Sequence, residues 1–74
     1  MYKTIVLELL QARPALYRRL CLSRMTLREL DRYSADLRTR HLELSLSLSP
    51  DAAMELAVSE IQERIAQEAA RVEA

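Results

Sequence analysis

The chain has 74 residues and zero formal net charge; 50% are apolar and 30% charged, with two Pro, one Cys, one His and no Gly, Trp or Phe. That length allows one small domain, which as a monomer hides only about 60% of the surface of its unfolded chain, so association is an expected way to enlarge the core. The absence of Gly excludes Gly-rich phosphate loops, dinucleotide turns and Gly-dependent calcium loops, and a lone Cys21 with a lone His41 excludes an internal disulfide and a closed zinc site within one chain.

Residues 1–22 read as an N-terminal helical arm. Tyr2, Ile5, Val6, Leu9 and Leu10 fall on one side of a helix, although Thr4–Leu9 also contains residues that favour a strand. Pro14 lacks an N–H and restricts Arg13, so the arm is kinked or divided there, while the apolar phase continues through Leu9, Ala12, Leu16 and Leu20. The apolar run Ile5–Leu10 is too short for a membrane span or a secretory signal, which makes a cytoplasmic location the expectation.

After a break at Leu22–Met25, Thr26 with Glu29 three residues on matches a capping box and predicts a central amphipathic helix over 26–44. Two heptad columns run along it: Leu27, Ser34, His41 and Leu48, and the all-leucine column Leu30, Leu37 and Leu44. Ser34 and His41 weaken the first. Over 42–48 leucines alternate with polar residues at the strand period, so 45–49 is an ambiguous Leu/Ser connection that can be helix, extended or linker. Ser49, Pro50 and Asp51 then supply a cap, a first-turn proline and a carboxylate at a helix N-terminus, starting a C-terminal helix over 50–72. Its apolar face is Met54, Val58, Ile61, Ile65, Ala69 and Val72, and Glu60 and Arg64 have the spacing of an ion pair along the helix. The expected fold is all-α, a small helical hairpin or three-to-four-helix array in a single domain, completed by oligomerisation.

Candidate chemistry is sparse. Asp36 and His41 point about 140° apart on a helix, and Cys21 has no local base, so no enzyme, metal or cofactor is expected. The leading functional expectation is a non-enzymatic protein-interaction or self-assembly module, either a homo-oligomer or a binder of a helical protein partner. Leu30, Leu37, Leu44, Val58, Ile61 and Ile65 would form its interface, aligned by Arg24, Arg28, Arg32, Glu60 and Glu63. Residues 1–41 carry nine basic and four acidic groups, and residues 42–74 two and seven, an asymmetry suited to complementary contacts within or between chains. The second reading is a nucleic-acid-binding accessory protein, with Arg24, Arg28 and Arg32 as a phosphate-contacting stripe. The third is a membrane-surface binder in which Arg18 and Arg19 flank Leu16, Leu20 and Leu22.

Overall fold

Pro14 divides the N-terminal arm into two helices. In the computed structural model, which describes residues 1–73, α1 spans Tyr2–Gln11 and α2 spans Pro14–Leu22. A continuous helix would drive the Pro14 ring into the carbonyl of Leu10, and that carbonyl instead accepts from the Arg13 N–H at 3.0 Å. Arg13 takes φ −118° and ψ 80°, the extended-side backbone that a following proline favours, and Pro14 opens α2 at its first position.

The end of α2 is closed by a Schellman motif without glycine. Met25 N–H donates to Leu20 O at 2.9 Å and Arg24 N–H to Cys21 O at 3.2 Å, the two nested bonds of that motif. They require a left-handed residue between them, and Arg24 supplies it at φ 60°. For a residue with a Cβ this conformation costs about 1–2 kcal/mol.

α3 spans Thr26–Leu44, matching the expected central helix, but the expected capping box is not formed. Thr26 is the first helical residue, its Oγ1 donates to Cys21 Sγ at 3.5 Å, and Glu29 turns its carboxylate to Arg32. The Leu/Ser segment is neither strand nor helix. Leu46 N–H donates to Glu43 O at 3.2 Å and Leu48 N–H to Leu44 O at 2.9 Å, so residues 45–49 fold as tight turns that reverse the chain. Ser49 then caps α4, Pro50–Glu73: its Oγ accepts from the Ala52 N–H at 3.3 Å and Pro50 occupies the first turn.

α3 and α4 are antiparallel, as their cross-links show: Arg40 meets Glu60, and four residues back on α3, Asp36 meets Arg64 four residues forward on α4. This hairpin is the most extensive contact in the fold; α1 packs mainly on α3 and α2 mainly on α4. Their apolar stripes meet in one core containing Val6, Leu10, Leu16, Tyr33, Leu37, Ile61 and Ile65. Burying a side chain such as Leu37 or Ile65 contributes about 1.5–3 kcal/mol, several times an exposed ion pair, so apolar packing sets the position of the helices.

Candidate interaction surface

The six residues expected to face a second molecule face the chain's own helices. Leu37, Ile61 and Ile65 are buried, and Leu30, Leu44 and Val58 are half-buried against them. The physical reason is the α3–α4 hairpin: two stripes that each require an apolar cover are brought together by the short 45–49 turn and cover one another, with α1 and α2 closing the remainder. An intermolecular contact through Leu37 would require the fold to open.

The expected alignment charges divide in the same way. Glu60 accepts a forked contact from Arg40, Nε to Oε1 at 2.7 Å and Nη2 to Oε2 at 3.2 Å, in place of the expected pair with Arg64. The Arg40 hydrogen bond holds the Glu60 carboxyl below its ordinary value against partial desolvation, and the Arg40 charge acts in the same direction. The same hydrogen bond raises Arg40. Arg32 is held by Glu29 through two bonds of 3.0 and 2.6 Å, lies 4.6 Å from the centroid of Tyr33, and is raised chiefly by the Glu29 hydrogen bond. Arg64 lies 5.3 Å from the same ring and binds Asp36 at 2.9 Å. Arg32 therefore leaves the stripe that Arg24 and Arg28 were expected to form with it. Arg24 and Arg28 are exposed, as is Glu63, and none of the three has an ion-pair partner among the described residues.

The membrane-surface arrangement also loses its apolar side: Leu16 is buried and Leu20 packs against the core, leaving Leu22 outside. Among the described residues no helix is long and apolar enough to cross a membrane.

Cys21 and His41 sit at opposite ends of α3. Cys21 touches Thr26, and the 15 residues from Thr26 to His41 rise about 22 Å. The His41 Nδ1 is instead 2.9 Å from the Tyr2 hydroxyl, an edge-on contact that pins the start of α1 to the last turn of α3. Ser34 Oγ and His41 Nε2 are buried without hydrogen-bond partners, which locates the weakness of the first heptad column in two specific atoms. A groove of about 450 Å³ beside α1 is lined by Tyr2, Lys3, Asp31, Ser34 and Arg38, with the Lys3–Asp31 ion pair at 3.1 Å in its wall. These residues supply no activated nucleophile with an adjacent base.

Apart from Met1 at the start of the chain, the large apolar side chains left outside gather toward the two turns. Leu22 and Leu27 flank the α2–α3 turn, each 75% exposed. At the other end of the hairpin Leu46 is 89% exposed, with Leu42, Leu48 and Leu56 also outside. The sequence did carry a signal for this second group. Four leucines alternate over 42–48, more than a helical stripe can turn inward, and only Leu44 packs on the core. Comparison of the chain with protein-family models, curated proteins and solved structures finds no match. The functional reading therefore rests on this geometry.

Proposed function

We propose that this chain is a small non-enzymatic interaction module, associating with copies of itself or with another protein through the leucines left outside at its turns. The observation that supports this is the combination of a closed core with exposed leucines at its turns: the chain covers Leu37, Ile61 and Ile65 yet leaves Leu22, Leu27 and Leu46 mostly exposed. Single exposed apolar side chains are ordinary, whereas several gathered at one turn and rimmed by charge mark a contact surface. Sedimentation equilibrium over a concentration series tests self-association. A mass that rises above 8.5 kDa with concentration is expected; a monomer at every concentration would restrict the module to a foreign partner.

A second reading is favoured by a separate observation. Arg13, Arg18, Arg19, Arg24, Arg28 and Arg38 have no carboxylate partner among the described residues, so their guanidinium groups are open to phosphate. Titrating labelled RNA and DNA at two salt concentrations, with an Arg24→Glu/Arg28→Glu variant alongside, tests it. Binding that weakens with salt and is lost on reversal would support a nucleic-acid accessory role, and no binding at low salt would remove it.

A further inference from the structure

The two turns that expose leucine are opposite in charge. Around the α2–α3 turn, Leu22 and Leu27 are set among Arg18, Arg19, Arg24 and Arg28, none with an ion-pair partner among the described residues, while the carboxylates at this end, Glu29 and Glu68, are taken up by Arg32 and Arg71. Around the α3–α4 turn, Leu42 and Leu46 are set among Glu43, Asp51 and Glu55. Asp51 and Glu55 have no ion-pair partner among the described residues, and Glu43 shares Arg40 with Glu60. The molecule is elongated, 39 × 22 × 14 Å, and α3 runs from one turn to the other, so the patches lie at opposite ends.

The dipole of α3 sharpens the contrast. Arg28 lies in its first turn, where the field is already positive and where the Glu29 carboxylate is turned to Arg32, and Glu43 lies in its last, where the field is already negative and Arg40 stands 3.6 Å away. Arg28, with no ion-pair partner among the described residues, would be relieved by an opposite charge from outside, and Glu43, which shares Arg40 with Glu60, would gain a cation of its own.

From this complementarity, and resting on the self-association reading above, we infer that the basic leucine end of one copy docks on the acidic leucine end of the next, head to tail. The occupant of each patch is a second copy of this chain. The two patches differ, so the contact is heterologous, and ends on opposite sides of a rod extend it as an open chain. A cross-section of 22 × 14 Å restricts each junction to the small end of the interface range, near about 1,200 Å² in total or below. Each junction is therefore weak, concentration-dependent and loosened by salt.

Two surface variants test the inference. Leu27→Asp places a negative charge on the basic end, where it repels the incoming acidic end, and Leu46→Lys does the converse. Both positions are exposed, and helix content by circular dichroism verifies that each variant folds. Sedimentation equilibrium should give a concentration-dependent mass for the parent and monomers for each variant alone. An equimolar mixture should recover association, forming at least a species of twice 8.5 kDa, since each variant retains the end that the other lacks. If either variant alone keeps the parent's mass, the contact joins like ends and the head-to-tail arrangement is wrong. A mixture that stays monomeric while the parent associates also overturns the arrangement but leaves self-association standing. A parent that is monomeric throughout overturns both.

Discussion

Arg24 shows what a chain without glycine does where its fold needs a left-handed residue. The paired bonds from Met25 to Leu20 and from Arg24 to Cys21 fix the turn, and Arg24 bears φ 60° to allow them. Arg24→Gly should therefore stabilise the monomer by about 1 kcal/mol, somewhat less than the full strain because glycine also gains freedom in the unfolded chain. A higher urea midpoint for the variant, measured in dilute solution, is the expected result. Composition made the absence of glycine plain, but no single-residue signal marks Arg24 as the strained position, because its conformation is imposed by how α2 and α3 must turn. His41 and Ser34 were more legible. Both interrupt a leucine column in the sequence, and both hold buried polar atoms without partners. The bond from Tyr2 to His41 joins residues 39 apart, a pairing that periodicity does not encode.

At the scale of elements, the helix starts and stops were written in local chemistry. Pro14, and Ser49 with Pro50, act through φ, a missing N–H and a capping hydroxyl, all of which are fixed by adjacent residues. The capping box at Thr26 did not form because the turn brings Cys21 to the hydroxyl and Arg32 competes for Glu29. The heptad column Leu30, Leu37 and Leu44 was also legible as an apolar stripe, but a stripe states that cover is needed without stating whose. Here α4 and α1 provide it, so Leu37 probes folding and not association. Leu37→Ala should cost about 2–5 kcal/mol and Ile65→Val about 0.5–1.5, both read from urea midpoints, with the milder variant associating as the parent does.

The ion pairs between α3 and α4 act at the same scale and carry a pH dependence. Because Arg40 lowers Glu60 in the folded state, the pair stabilises the fold above the ordinary carboxyl value near 4.5 and this contribution is lost as pH falls through the lowered value. Parent and Glu60→Gln should differ slightly in urea midpoint at neutral pH, and the difference should close in strong acid. A difference that stays constant across that range would show that the forked contact contributes nothing through charge.

For the whole molecule, shape and charge combine into one account. An accessible surface of 5135 Å² exceeds the roughly 4,700 Å² expected for a compact chain of this mass, as an elongated hairpin with leucines at its turns requires. The sequence showed that charge was divided between its halves, but not that the fold would place unpaired arginines at one end and carboxylates at the other. That separation follows from the antiparallel α3–α4 hairpin, which pairs Arg40 with Glu60 and Asp36 with Arg64 in its middle and leaves Arg24 and Arg28 at one end and Asp51 and Glu55 at the other without ion-pair partners among the described residues. The most direct test is a residue-resolved dilution series by ¹⁵N–¹H NMR. The backbone signals of residues 22–28 and 42–48 should shift with concentration, both sets following one binding curve, while those of Leu37 and Ile61 stay fixed. Shifts confined to one end, spread over the core, or absent altogether would contradict association through the two turns.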